Sequence, residues 1–278
     1  MSDAKFSFET SKLHQDRPTV RPDPEAKSTP LLVPSPTQEV HSKTSSPVVG
    51  EYVGGEAPLL PNRVIVIAKL QKEDTDWVQE YLPDWQHAIY TVDNRSAPLH
   101  TDVNKGRESS VYLKYIVDNY DRLPETLVFL HSHRDGYPTA WHNDNDDYDN
   151  VKSVTSLRID FVQRNGYTNL RCNWIPGCPE EVQPYRQHSE FPDLKPEDNA
   201  ELATLRAWPH LFNSTDPPAI IAAPCCAQFA VSRAQVLMRP REDYVRFLQW
   251  LLDTDLPDAT SGRVFEYLWH IIFGKEAV

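Results

Sequence analysis

The chain has 278 residues, of which 40% are apolar and 10% aromatic, so it is long enough to bury a hydrophobic core. It contains 24 prolines against 9 glycines, which excludes collagen-like and glycine–serine linker sequences. The formal net charge of −12 excludes a generally basic, nucleic-acid-binding surface and leaves room only for a local basic patch.

No segment of the sequence resembles a membrane span or a leader. The longest apolar stretch, residues 219–231, is about half as long as a membrane span and includes Pro224 and Gln228. The N-terminal residues MSDAKFSFET lack the apolar core of a signal peptide. We therefore expect a cytoplasmic protein with no membrane partner, and the sequence predicts no protein partner.

Residues 1–60 differ in composition from the remainder. They hold eight prolines, many serines and threonines, and no sustained hydrophobic periodicity. Such a segment buries too little apolar surface to offset its ordering entropy. We predict a disordered Pro/Ser/Thr-rich tail at 1–60, followed by a single α/β catalytic domain at 61–278.

Strands and helices are predicted to alternate at the start of this domain. The apolar run RVIVIA at 63–68 is typical of a strand buried on both faces, as in parallel sheets. Beyond it, the patterns predict a helix at 75–82, a strand at 88–93, a helix at 108–120 and a strand at 126–131. This alternation predicts βαβ units in an α/β fold with a mostly parallel sheet and flanking helices. Ligands then bind at the carboxyl ends of the strands, so the loop after Leu130 is the first place to search.

The second half of the domain is less regular. We predict helices at 150–165, 201–208, 241–254 and 263–273, and strands at 167–175, 220–223 and 228–232.

The four cysteines of the chain lack the paired C-x2-C spacing of a zinc site, and we expect them to be buried, reduced thiols.

The densest group of reactive side chains follows the third strand. It consists of His131, His133, Arg134, Asp135, His142, Asp144, Asp146, Asp147 and Asp149. Closely spaced carboxylates can ligate Mg²⁺ or Mn²⁺ through oxygen, or bind a guanidinium group when no metal is present. A solvated loop with Asx turns is the alternative, because Asn–Asp runs are also common in turns.

Two further positions carry candidate ionisable groups. Glu108 opens the predicted second helix, where it either contacts a ligand or complements the helix dipole. Arg263, Glu266 and His270 are spaced to share one face of the apolar C-terminal helix. Polar groups in so apolar a helix are either paired or face a cavity, and we expect these three to face the same cavity as His131 and His142.

Several nucleotide and metalloprotease motifs are absent. The sequence has no G-x-G-x-x-G, no G-x-x-x-x-G-K-[ST], no H-E-x-x-H and no G-x-S-x-G. Dinucleotide-dependent, P-loop ATP and serine-triad chemistry therefore have no support.

Other motifs carry a resemblance that covers about residues 62–278. These motifs are NKGRE at 104–108, FLHSH at 129–133, WHND at 141–144, LRC at 170–172, PGC at 176–178, PCCAQFAVSR at 224–233 and SGR at 261–263 with EY at 266–267 and WH at 269–270. Together they resemble a fungal family of domains of unknown function, which we associate with arginine-containing cyclodipeptide synthases. The resemblance implies a glycosyltransferase-A-like fold and the joining of arginine from arginyl-tRNA to a second aminoacyl-tRNA residue as a cyclic dipeptide, cyclo(Arg-Xaa), in fungal secondary metabolism.

The resemblance also implies an acidic D-D-x-x-E motif. Asp146 and Asp147 supply its paired aspartates, but Asn150 stands where the glutamate is expected. On this basis Asp146, Asp147, Glu266 and His131 are the catalytic candidates. The substrate-binding candidates are Glu108, His133, His142, Asp144, Arg263 and His270.

An aminoacyltransferase of this kind requires no cofactor, because the aminoacyl ester is already activated. The alternative is a glycosyltransferase of the GT-A type, which would use a nucleotide sugar and a divalent metal, Mg²⁺ or Mn²⁺, held by the aspartates at 144–149. A non-enzymatic binding module is the third reading.

Overall fold

A computed structural model describes residues 62–179, 181–186 and 195–278. The predicted disordered tail lies outside the described residues, which all belong to one unit spanning Glu56–Val278. The first five elements are β1 (Arg63–Lys69), α1 (Asp76–Tyr81), β2 (Gln86–Thr91), α2 (Ser109–Asn119) and β3 (Thr126–His131). All five predicted elements are therefore confirmed in type and order.

The second half is built of shorter elements. They are α3 (Asn150–Thr155), α4 (Ile159–Asn165), β4 (Tyr167–Asn169), α5 (Ala200–Phe212), β5 (Phe229–Ser232), α6 (Arg233–Val236), α7 (Arg241–Asp253), α8 (Asp258–Glu266) and α9 (Trp269–Ile272). The predicted helix at 150–165 is two helices, because Arg158 is extended and turns the chain. Residues 220–223 form only an isolated bridge from Ile221 to Val182.

The described sheet has five strands in the order β2-β1-β3-β5-β4. β1 pairs in parallel with β2 and β3, whereas β5 is antiparallel to both β3 and β4. The predicted mostly parallel sheet is therefore wrong, and the sheet is mixed. β5 starts beside the end of β3, and there the Gln228 side chain accepts a hydrogen bond from the His131 N–H.

Both faces of the sheet are buried, as the apolar run in β1 predicts. Val64 and Val66 face the cluster formed with α2, α7, α8 and α9, whereas Ile65 and Ile67 face the cluster formed with α1, α3 and α4. This alternation follows from the two-residue repeat of a strand. None of the helices in the described part of the chain is long and apolar enough to cross a membrane.

Candidate active site

A cavity of about 460 Å³ opens at the carboxyl ends of β1, β2 and β3, where the βαβ alternation predicts a ligand site. Its volume is in the range of small-molecule sites. Its lining residues are Ala68, Lys69, Leu70, Glu73, Val92, Asn104, Arg107, Glu108, His131, Ser132, His133, Thr139, His142 and Asp258. Four predicted site residues, Glu108, His131, His133 and His142, are therefore brought together.

Glu108 reaches the cavity because the start of α2 packs closely on α8. A side chain at Gly262 would place its Cβ 3.1 Å from the Gly106 carbonyl oxygen, so only glycine permits this approach without a shift. The Asp258 carboxylate accepts a hydrogen bond from the Gly106 N–H at 3.3 Å, and Lys105 donates to the Leu256 carbonyl. The NKGRE and SGR motifs thus build one contact that positions Glu108.

Glu108 and Glu266 are carboxyl groups in a low-dielectric setting. Burial raises the pKa of Glu108 above its usual range, and the neighbouring Arg107 opposes this. Burial also raises the pKa of Glu266, and the negative charge of Glu108 raises it further. The two groups therefore form a pair of interacting carboxyls, in which the charge of Glu108 disfavours ionisation of Glu266.

His131 and His142 lie against each other, with ring centroids 4.0 Å apart. Burial lowers the pKa of His131 to about 4 and that of His142 to about 2, and the neighbouring histidines and Arg107 act in the same direction. Both rings are therefore neutral near pH 7. Within the described part of the chain, the Nε2 atom of His131 and the Nδ1 atom of His142 are buried and have no hydrogen-bond partner.

A buried amide network holds the backbone on which these histidines stand. The Gln228 side chain accepts from the His131 N–H at 2.9 Å and donates to the His142 carbonyl at 3.2 Å. It also donates to Asn150, whose side chain donates to the His133 carbonyl at 2.9 Å. Gln228 and Asn150 are fully buried, so each bond replaces one that water would otherwise make.

Glu73 supplies a second fixed carboxylate. Its Oε2 atom accepts from the Leu70 N–H and from the Ser132 hydroxyl, each at 2.8 Å. Its Oε1 atom lies 3.7 Å from the Nε2 atom of His133. One oxygen thus anchors the side chain, while the other remains near the cavity and His133.

The aspartates of the acidic loop have other environments. Asp144 accepts from the Cys172 and Asn173 N–H groups at 2.6 and 2.7 Å and lies 3.7 Å from the Arg171 guanidinium. Asp146 and Asp147 are exposed on a single 3-10 turn and are not among the residues that line the cavity. Asp149 caps α3 by accepting from the Val151 and Lys152 N–H groups.

Arg263, Glu266 and His270 do not lie on one continuous helix. α8 ends at Glu266, and just beyond it the Leu268 N–H bonds to the Phe265 carbonyl, which makes a tighter turn before α9. The expectation that Arg263, Glu266 and His270 share one helical face is therefore wrong. His270 is buried and pairs with the Ala277 carbonyl at 3.2 Å. Arg263 is exposed. None of the three lines the cavity, and Glu266 lies behind it, accepting from the Cys226 N–H at 2.7 Å.

Cys225 and Cys226 are bonded to each other, which corrects the expectation of reduced thiols at these two positions. Cys172 and Cys178 are free, and Cys172 is exposed rather than buried. In the described part of the chain, Cys225, Cys226 and Glu266 have potential metal-ligand atoms within 4.8 Å of one another. The aspartates at 144–149 do not form such a group. Because the two sulfurs are joined, neither is available as a thiolate ligand.

The family of the chain is known from a match to a family model. The family model described as "Protein of unknown function (DUF3431)" matches residues 65–278, and hence every residue that lines the cavity. The chain belongs to the DUF3431 family. No curated protein and no solved structure matches it. The DUF3431 description assigns no activity, so the link to arginine-containing cyclodipeptide synthases stays a proposal.

Sequence analysis missed several residues of this DUF3431 site. Glu73 lies in the loop after β1. The rule that ligands bind at the carboxyl ends of strands applies to this loop as well as to the loop after β3. Asp258 starts α8 and is brought in by long-range packing. Gln228 and Asn150 had no sequence signal for a role in holding the site, because that role comes from their burial and their hydrogen bonds.

Proposed function

We propose that the protein is an arginine-containing cyclodipeptide synthase, which forms cyclo(Arg-Xaa) from arginyl-tRNA and a second aminoacyl-tRNA. The observation that carries the proposal is a cavity lined by three carboxyl groups, Glu73, Glu108 and Asp258, beside neutral histidines. Carboxylates favour a cationic ligand group, and the motifs that build the cavity belong to the resemblance described above.

The chemistry needs a base but no energy-rich cofactor. The amine of one aminoacyl ester attacks the carbonyl carbon of the other, an amide bond forms, and the ester bond to the tRNA 3′ oxygen breaks. A second attack closes the ring and releases the second tRNA. At each step, the attacking ammonium gives up a proton and the departing tRNA oxygen gains one.

Glu108 is the proposed base. It lines the cavity, and its raised pKa makes it a better proton acceptor than an ordinary carboxylate for an ammonium group whose pKa is about 8. His131 and His142 are poor bases because their pKa values are about 4 and about 2. The negative charge of Glu108 in turn raises the pKa of Glu266.

Glu73 and Asp258 are the proposed partners of the arginine guanidinium. The Oδ1 atom of Asp258 accepts from the Gly106 N–H and lies 3.7 Å from the Lys105 ammonium, so we assign the guanidinium to its Oδ2 atom. The Oε1 atom of Glu73 stays near the cavity because Oε2 is anchored by two donors. A planar guanidinium can donate to two acceptors at once, whereas a lysine ammonium matches such a pair less well.

The phosphates at the 3′ end of tRNA require positive charge on a chain that is acidic overall. Lys69 and Arg107 line the same cavity, and Arg107 is exposed. We assign these two side chains to the terminal phosphates, at the opening of the cavity.

A metal-dependent glycosyltransferase of the GT-A type is the alternative, and a relationship of the fold to that class is likewise only a proposal. Its metal would be Mg²⁺ or Mn²⁺ held by the acidic loop. Asp144 is already engaged by two backbone N–H groups and Arg171, and Asp146 and Asp147 are exposed outside the cavity. This arrangement favours the synthase over the glycosyltransferase.

Expression of the chain in a heterologous host that makes no arginine diketopiperazine tests the proposal. We expect mass spectrometry of extracts to detect a new cyclic dipeptide that becomes heavier when the host is fed isotope-labelled arginine. The matched control is a host expressing Glu108→Gln, which should lack the product. A well-expressed, folded wild-type protein without any labelled diketopiperazine would contradict the proposal, and release of UDP from a UDP-sugar would favour the alternative.

Neutralising the exposed aspartates is predicted to have small effects. Because Asp146 and Asp147 lie outside the cavity, the double variant Asp146→Asn/Asp147→Asn should keep product formation within about threefold of the wild type. Its free energy of unfolding should change by less than about 0.5 kcal/mol, since Asn also tolerates the positive φ of 59° at position 147. Denaturant unfolding and product yield measure both. A loss of activity by orders of magnitude would restore the D-D pair as catalytic.

A further inference from the structure

Two buried ring nitrogens at the cavity have no hydrogen-bond partner among the residues that the structure describes. They are the Nε2 atom of His131 and the Nδ1 atom of His142, on rings whose centroids are 4.0 Å apart. Buried polar atoms are nearly always hydrogen-bonded. These two belong to residues that line the cavity and whose rings touch, so a ligand in the cavity is the source of partners that we consider for them.

The hydrogen-bonding roles of the two rings differ. A hydrogen bond to the Cys226 backbone raises the pKa of His131, as a bond donated by a ring N–H does. A neutral imidazole has a single N–H, so the orphaned Nε2 of His131 carries the lone pair and is an acceptor. His142 is neutral as well, and we assign its single N–H to the orphaned Nδ1 atom, which makes that atom a donor.

We propose that His131 and His142 form a binding pair for an α-aminoacyl group, in which His131 accepts from the amine and His142 donates to the carbonyl oxygen. The inference rests on the proposed function for its aminoacyl substrate and goes beyond it by assigning the atoms that hold the reacting end. An aminoacyl group presents a donor and an acceptor on neighbouring carbons, which matches an acceptor and a donor on neighbouring rings. Neither histidine transfers a proton in this assignment.

The surrounding protein favours a fixed pair. Gln228 binds the backbone of both histidines, and Asn150 binds that of His133. Three carboxyl groups, Glu73, Glu108 and Asp258, line the same cavity as the rings, but the charges that act on His142 are those of Arg107 and Arg171, and both disfavour a proton on it. A neutral donor can still polarise a carbonyl group, and it does so without a change of protonation.

Binding of two small cations tests the pair without any turnover. L-argininamide carries a guanidinium, an amine and a carbonyl group, whereas agmatine lacks the carbonyl group. We expect calorimetry on the full chain to show that argininamide binds about tenfold more tightly than agmatine, as one hydrogen bond to a carbonyl group provides. His142→Leu should remove this preference, whereas His142→Asn, whose amide can donate from nearly the position of Nδ1, should retain most of it.

His131 is tested in the same way. His131→Gln can accept in place of Nε2 and should keep product formation within about tenfold, whereas His131→Leu should lower it about a hundredfold or more. His210→Leu, on the exposed side of α5, is the matched control and should change neither binding nor activity. Circular dichroism of each variant confirms that it is folded.

The outcomes separate the pair from the proposed function. Equal binding of argininamide and agmatine by the wild type, or a Gln variant as inactive as the Leu variant, would overturn the pair even if a cyclic dipeptide is still made. A preference for alaninamide over ethylamine that depends on His142, without any binding of argininamide, would support the pair and contradict the arginine-specific function. Failure to bind any of the four compounds would overturn the pair.

Discussion

Glu108→Gln is expected to lower product formation at least a hundredfold, because it removes the proposed base while keeping the size of the side chain. The same substitution should not destabilise the fold. Burial raises the pKa of Glu108 in the folded protein, so the ionised group is disfavoured there relative to the unfolded chain. Removing its charge should therefore raise the melting temperature at pH 7.5.

The stability of the folded protein should also depend on pH with a defined sign. Between the unfolded pKa of Glu108 and its higher folded pKa, the folded state binds more protons than the unfolded state. Stability of the wild type then falls as the pH rises through that interval, and the advantage of Glu108→Gln should shrink at pH 4, where both states are largely protonated.

The matched control is Glu80→Gln on the exposed surface of α1, which should leave activity and melting temperature unchanged at both pH values. If Glu108→Gln keeps full activity, Glu108 is not the base. If it melts far below the wild type at pH 7.5, the carboxylate is a stabilising structural group instead.

Gln228→Leu is expected to lower the free energy of unfolding by roughly 2–4 kcal/mol, the largest loss of stability predicted for this site. Leucine has a similar volume but leaves the buried His131 N–H and the His142 carbonyl without their partner. Activity should fall as well, because the two histidine rings lose the bonds that hold their backbone. Urea unfolding monitored by tryptophan fluorescence measures the change.

The control for this prediction is Gln79→Leu on the exposed surface of α1, which should change stability by less than about 0.5 kcal/mol. Equal stability of Gln228→Leu and the wild type would mean that the network adds nothing to the fold. A stable Gln228→Leu variant with full activity would also remove the argument that the histidines must be held in place.

Local patterns predicted the first half of the fold well. The run at 63–68 and the stripe at 108–120 have the periodicities of a buried strand and a helix, and both form as predicted. The direction of β5 was not predictable in this way, because it depends on long-range pairing with β3, where Gln228 also bonds to His131, 97 residues away. The break between α8 and α9 was also missed. Both helices are apolar, and hydrophobic periodicity does not reveal a single tighter turn between them.

The candidate site was predicted in part. The three histidines and Glu108 were found because a strand end and a helix start are recognisable from sequence, and both lie at the predicted edge of the sheet. Asp144 has a carboxylate, as a metal or substrate ligand would, but this carboxylate holds the backbone at Cys172 and Asn173. Sequence patterns do not distinguish these two uses of a carboxylate, which depend on where the following loop folds back.

The central claim is that this cavity joins arginine from arginyl-tRNA to a second aminoacyl residue. Its most direct test is incubation of the purified full chain with arginyl-tRNA carrying radiolabelled arginine, together with a mixture of other aminoacyl-tRNAs, without ATP. We predict that the label passes from tRNA into a cyclic dipeptide, and that Glu108→Gln abolishes the transfer. Label that stays on tRNA, or is released only as free arginine at the uncatalysed rate, would contradict the claim.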